Sequence, residues 1–226
     1  MIFGISDLHL DITSKKDMSV FGEEWNDYEN KIFTNWKNTV NENDTVLVPG
    51  DISWAMKLHD AELDLDRIEK LPGKKILIRG NHDYWWRSIS KLRNKNYSTI
   101  SFLQNNSVVV EGVRVVGTRG WISPDDSIAT EEDKKIFQRE KNRLKLSLKY
   151  PVFGYFDTVA MLHYPPFDKE GEINTIGKIL LEHGVKRCIY GHLHGLGHSL
   201  VKEGEIEGIN FKCLSGDYIH FVPQKI

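Results

Sequence analysis

A chain of 226 residues, 40% hydrophobic and 27% charged, holds enough apolar matter for one sizeable core, so a single domain over residues 1–226 is expected. Its net charge of −2 argues against general attraction to nucleic acid or to an anionic membrane. The start lacks a basic leader with an apolar run, no stretch nears the ~20 apolar residues of a membrane span, and the two cysteines, Cys188 and Cys213, sit in strand-like apolar settings, which together point to a cytoplasmic protein with reduced thiols.

Residues 2–6 form a brief apolar run that fits a buried strand, and Asp7 and His9 lie where it ends, two apart and therefore on one side of the strand end. Residues 24–40 place Trp25, Tyr28, Ile32, Phe33, Trp36 and Val40 at three- and four-residue steps, the pattern of a helix packed on a sheet. A second strand at 45–48 ends in Pro49-Gly50-Asp51. Residues 61–71 set Leu63, Leu65, Ile68 and Leu71 among charges and predict a second helix, stopped by Pro72-Gly73. The third strand, 75–78, delivers Gly80-Asn81-His82-Asp83. Such strand and helix alternation implies right-handed crossovers and a parallel sheet, with ligands beyond the carboxyl ends of its strands.

A short helix near 88–95 precedes segments 99–103, 107–110 and 113–117, which read as adjacent strands with Glu111-Gly112 as a hairpin turn, so an antiparallel region is expected here. Residues 130–149 read as a charged, solvent-facing helix, and the loop before it, 123–128, is placed to overhang a site. Strands at 156–162 and 186–190 flank a helix at 176–182 that His183-Gly184 closes. The tail, 198–222, alternates in places and suggests further antiparallel strands.

Five times an apolar run ends in residues that bind metals or move protons: Asp7-Leu8-His9, Gly50-Asp51, Gly80-Asn81-His82-Asp83, His163, and Gly191-His192-Leu193-His194. Each alone has a plain explanation, as a helix cap at Asp7 or Asp51, a glycine turn, or a hydrogen-bonded core histidine at His163. Repeated at successive strand ends, they suit two divalent ions. Asp51, alone between the clusters, fits a bridging carboxylate; His192 and His194 can each face a different ion. Asn81 and His163 would complete one side, Asp7 and His9 the other. Such a pair of ions lowers the pKa of a shared water, holds hydroxide in line with phosphorus and neutralises phosphoryl charge. His82 would then give a proton to the leaving alkoxide, with Asp83 holding its imidazole in the useful tautomer.

Trp54, Tyr84, Trp85, Trp86 and Trp121 follow the motifs closely and either line a mouth or brace the loops from behind. Trp86 is the aromatic expected to touch substrate. Among Arg79, Arg87 and Arg119, the last is the expected phosphate clamp. His59, His183, His198 and His220 match none of the blocks.

In this order the blocks resemble the calcineurin-like metallophosphoesterase superfamily, whose pattern is Asp-x-His, Gly-Asp, Gly-Asn-His-Asp/Glu, His and Gly-His-x-His, here running from Asp7 to His194. The resemblance implies an α/β protein of four layers, an α/β/β/α sandwich of two mixed sheets flanked by helices. It also implies a dinuclear centre of manganese, iron or zinc and hydrolysis of phosphoester bonds. Carried over by motif, Asp7, His9, Asp51 and His194 would hold one ion, Asp51, Asn81, His163 and His192 the other, and His82 would be the catalytic acid. A phosphodiester of small or nucleotide type is the expected substrate, because the chain has only short insertions. Phosphomonoesterase or phosphoprotein phosphatase activity is the alternative, and a non-catalytic scaffold with a retained metal site is a third reading. The DNA-binding segments of the superfamily's nucleases and a long basic amphipathic helix for docking on a bilayer are both missing, so neither a stable nucleic-acid partner nor a membrane is expected.

Overall fold

The computed structural model describes residues 1–13 and 16–226. In the first sheet β1 (Ile2–Gly4), β2 (Thr45–Val48), β3 (Lys74–Leu77) and β4 (Ile100–Phe102) pair in parallel in that order, and β11 (Gln224–Lys225) lies antiparallel along β1. In the second, β6 (Val113–Thr118), β7 (Asp157–Leu162), β8 (Arg187–Tyr190) and β10 (Ile209–Cys213) are parallel neighbours. The hairpin partners β5 (Val108–Val110) and β9 (Gly204–Ile206) form its two antiparallel edges.

Alternation along the strands explains why the sheets stack. Val46 and Val48 of β2 face a core shared with α1 (Tyr28–Thr39) and α2 (Leu58–Glu69), through Ile32, Trp36, Leu65 and Ile68. Leu47, between them, points the other way to meet Val115, Val159, Met161 and Ile189 of the second sheet. Ala160 and Leu162 of β7 then face Phe137 and Leu144 of α4 (Glu131–Lys149) and Ile176 and Leu180 of α5 (Thr175–Glu182). Strands buried on both faces need apolar residues at successive positions, the pattern their sequences carry. The result is the expected α/β/β/α layering of two mixed sheets.

Two expectations are corrected. Segments 99–103 and 107–110 are not adjacent strands: β4 closes the parallel first sheet and β5 opens the second. The chain changes sheet at Gln104-Asn105-Asn106, where Asn105 adopts φ 61°, a turn that short-range patterning does not separate from a hairpin. In the tail, β9 and β10 pair antiparallel as expected, but β10 also runs parallel to β8, which joins that hairpin to the second sheet. Residues 195–197 open a 3-10 helix, Gly195–Leu200. The remaining helices appear within a few residues of expectation, with α3 at Ile89–Arg93. Cys188 and Cys213 are buried free thiols. Among the described residues no helix is long and apolar enough to cross a membrane.

Candidate metal centre

All five motif blocks gather where the carboxyl ends of the two sheets meet. The first sheet brings Asp7, His9, Asp51, Asn81 and His82, and the second brings His163, His192 and His194. Asp7 and His9 do not share a side by strand alternation, because β1 ends at Gly4 and both residues lie in the left-handed region, with φ of 60° and 45°. Asp51 (φ 51°) and His192 (φ 76°) do the same. Strained backbone of this kind persists only where neighbours hold it. Here the Asp7 amide donates to the Gly50 carbonyl at 3.0 Å and the His9 amide to the Asp51 carbonyl at 2.9 Å. The His192 amide donates to Asp7 Oδ2 at 3.0 Å, and that of His82 to Asp51 Oδ1 at 2.9 Å. Glycine is required at two contacts: a Cβ on Gly80 would collide with Asp51 Oδ1, and one on Gly191 with Ser6 Oγ and Asp7 Oδ2.

The donor atoms form two groups that share Asp7, one with His9 and His194 and one with Asp51 and His163, each within 4.8 Å. Asp51 Oδ2 lies between them, 3.6 Å from His9 Nε2 and 3.4 Å from His163 Nε2. Asn81 Oδ1 is 2.6 Å from His163 Nε2. The His192 ring lies 5.0 Å from that of His163.

This donor set fits cations. His163 Nδ1 is 3.0 Å from the Pro49 carbonyl and His194 Nδ1 is 2.8 Å from Asp217 Oδ1. Protons assigned to those nitrogens leave both Nε2 lone pairs facing acceptor oxygens, of Asn81 and Asp51 in one case and of Asp7, at 3.2 Å, in the other. Lone pairs converging on lone pairs in a buried place need a positive charge among them.

Protonation of the metal-free cluster follows the same logic. Burial opposes ionisation of Asp7, yet His194 and His163 hold its carboxyl well below the usual range. Burial likewise opposes that of Asp51, where His163 and His9 win. His194 resists its own burial because Asp7 and Asp217 push it up to about 10. His163 is raised against burial by Asp51. Burial dominates at His9, lowered to about 4, at His192, lowered to about 3, and at His82, which is lowered as well. Neutral imidazoles are the form that ligates metals.

His82 lines the central cavity of about 260 Å³ together with His9, Asp51, Trp54 and His194. Its Nδ1 is buried with no hydrogen-bond partner among the described residues. Asp83 does not hold that imidazole, a correction to expectation. Its Oδ1 accepts from the Ile52 and Ser53 amides and Trp85 Nε1, and its Oδ2 accepts from the Gly80 amide at 2.7 Å. It ties the loop after β3 to the loop after β2. Burial and the Asp51 charge push its carboxyl up to about 6.

Trp86, expected at the substrate, is 1% exposed and packs edge-on against Phe102 in the core behind the first sheet. Trp85 is buried with it. Consecutive residues on the short turn after the motif face inward because an indole there fills the space under β4. Arg119 points away from the cluster: its guanidinium pairs with buried Glu140 at 3.3 Å and covers the Trp121 ring at 4.2 Å. Of the aromatics, Trp54 stacks on His9 at 4.9 Å and lies 4.4 Å from His82. Tyr84 and Trp121 line cavities on either side. The loop 123–128 borders the Trp121 cavity through Ser123, Asp126 and Ile128.

Asp217 was not singled out by any motif. Its Oδ2 accepts from the Gly195 amide at 3.0 Å while Oδ1 holds His194, so one buried carboxylate sets both the ring and the loop behind it. His198 also approaches Asp217, at 3.1 Å. His59, His183 and His220 lie outside the cluster, His59 beside Asp60 and His183 at the end of α5.

A family model described as calcineurin-like phosphoesterase matches residues 1–196. No curated protein matches the chain in sequence. Among solved structures, a protein of unknown function from Aquifex aeolicus is 18% identical, with a TM-score of 0.52 over 99% of this chain and 94% of that one. The phosphopantetheinyl hydrolase of Mycobacterium tuberculosis is 13% identical, with a TM-score of 0.58 over 95% of this chain and 88% of that one. At such identities the likeness is one of fold.

Proposed function

The chain belongs to the calcineurin-like phosphoesterase family, and from that premise, which makes it a metal-dependent hydrolase of phosphoester bonds, we propose that it is a phosphodiesterase acting on a small or nucleotide-type substrate. One observation carries the choice of a diester. Cavities open on both sides of the Asp and His cluster, one of about 580 Å³ beyond Trp54 and His82 and one of about 590 Å³ beyond His192 and Leu193. Phosphorus seated at the cluster thus has room for an organic group on each side, which a monoester does not use.

In this reading Asp7, His9, Asp51 and His194 hold one divalent ion, and Asp51, Asn81, His163 and His192 a second; manganese, iron and zinc all suit these donors. When bound, the ions supply an acidified water and neutralise charge on the phosphoryl oxygens. His82, on the Trp54 side, donates a proton to the departing alkoxide. Its burial keeps the imidazole neutral in the free protein, and a phosphoryl anion brought beside it raises its pKa, so substrate itself readies the acid. Asp83 acts on the loop that carries Asn81 and His82, not on the proton.

The test compares bis-p-nitrophenyl phosphate with p-nitrophenyl phosphate, using metal-stripped protein reloaded with manganese. Higher kcat/KM for the diester supports the proposal; higher kcat/KM for the monoester replaces it with a phosphomonoesterase. His82→Ala should keep metal binding and slow poor leaving groups by about 10²-fold or more, with a smaller effect on nitrophenolate. Equal loss on good and poor leaving groups would remove His82 from the role of acid.

A further inference from the structure

We propose that the cavity beyond His192 and Leu193 binds one organic group of the substrate, and that this group is bulky, uncharged and apolar, with an aromatic ring fitting best. The proposal rests on the phosphodiester reading and names the chemistry of one of its two arms.

The cavity is not detached from the cluster, since His192 and Leu193 line both it and the central cavity. From the metal-side residue His192 an aromatic wall runs outward. The Tyr164 ring lies 3.9 Å from that of His192 at 32°, and Trp121 follows 4.9 Å from Tyr164. Trp121 is fixed from three directions, by Tyr164, by the Arg119 guanidinium over its ring and by Nε1 donating to Asp133 Oδ1 at 2.8 Å. A wall so held loses little entropy when a planar group lies on it.

Part of the cavity's rim is apolar and bare. Ile128 is 71% exposed and Leu200 63% exposed, although both border the cavity. Apolar side chains left in water at the mouth of a site gain most from an apolar occupant. The charges at the rim are of both signs, Asp126, Asp168 and Glu170 against Lys169 and Lys202. That mixture offers no concentrated positive field to a further phosphate, so a polyanionic arm gains nothing here that an uncharged ring does not.

Affinity can be read independently of turnover. Isothermal titration of the manganese-loaded protein with 1-naphthylphosphonate and methylphosphonate should show about tenfold tighter binding of the naphthyl compound. Leu200→Asp and Ile128→Asp should bring that ratio down toward one, while Leu146→Asp, on the exposed face of α4, should leave it unchanged. A ratio near one in the unaltered protein overturns the proposal. So does a ratio that survives Leu200→Asp and Ile128→Asp but collapses in Met56→Asp, which would put the ring in the cavity beyond Trp54. Failure to hydrolyse bis-p-nitrophenyl phosphate with the affinity ratio intact would sink the diesterase reading and leave the apolar subsite standing.

Discussion

Asp217 illustrates what a single carboxylate outside the motif blocks can do. His194 must present Nε2 toward Asp7, and only a proton on Nδ1 leaves that lone pair free; Asp217 Oδ1, at 2.8 Å, is the acceptor that fixes this tautomer and the ring plane. Asp217→Asn keeps the shape but removes the charge and lets the amide present either atom. The expected outcome is a 10- to 100-fold loss of manganese affinity, of order the cost of losing such a partner, with folding retained and much of the rate restored at saturating metal. Metal titration of stripped protein followed by kcat at saturation separates this from general damage; equal affinity in the variant would mean Asp217 only anchors the 195–200 turn. A signal for Asp217 is in the sequence, because Gly216-Asp217 follows the alternating segment 209–214 much as Gly50-Asp51 follows β2. That signal alone is weak, because its position after the last motif leaves Asp217 without companions. Trp86 failed for the reverse reason: proximity to His82 in sequence says nothing of which way a side chain faces on a turn.

At the scale of elements, the strands were legible because parallel strands buried on both faces write continuous apolar runs, and the ligand residues were legible because they stop those runs. What could not be read locally was partnership. The sheet change at Gln104-Asn105-Asn106 and the parallel pairing of β10 with β8 depend on contacts between residues far apart, to which a two-residue period is blind. One polar residue inside a strand shows how elements are joined. Lys75 of β3 is fully buried, and its Nζ donates to the carbonyls of Leu71 and Glu69, at 3.3 Å for the latter, and to Thr99 Oγ1 at 3.0 Å. It thereby satisfies carbonyls left over at the end of α2 and pins that helix to the sheet. Among the described residues no carboxylate pairs with it, and burial, only partly opposed by the Glu69 and Glu42 charges, lowers its pKa from 10.5 to about 8. Between those values the unfolded chain binds more protons than the folded one, so this lysine's contribution to stability rises with pH across the window. Cys188 and Cys213 pull the other way there, since burial raises both thiols and the folded chain keeps their protons. Both proteins share the cysteines, so the quantity to measure is the difference in urea unfolding free energy between the unaltered protein and Lys75→Met. That difference should shift by about 2 kcal/mol in favour of the unaltered protein from pH 7.5 to 9.5. A difference that stays constant would mean that Lys75 titrates normally in the fold.

Across the whole molecule the cluster is a joint between two sheets. Asp7, His9, Asp51 and Asn81 extend from the first sheet and His163, His192 and His194 from the second, while below them the sheets meet through apolar contacts such as Leu47 with Met161 and Ile189. Without metal, the joint relies on histidine charges facing buried carboxylates, an arrangement in which desolvation opposes every ionised group. Ions held by the proposed ligands of both sheets at once would favour the folded state only, because those donors are scattered along the unfolded chain. At a free metal concentration about 100-fold above Kd, one site adds about 2.7 kcal/mol, which in a chain of this size raises Tm by about 5–10 °C. Chelation should therefore lower the melting temperature of the purified protein by that amount, and manganese should restore it. Asp51→Ala, which removes the oxygen lying between His9 and His163, should melt at the same temperature with and without metal. If instead the variant keeps the full metal-dependent rise, the ions sit on one sheet alone and Asp51 does not join them. A rise absent from both proteins, with metal bound, would mean that the unfolded chain binds the ions as tightly as the folded one.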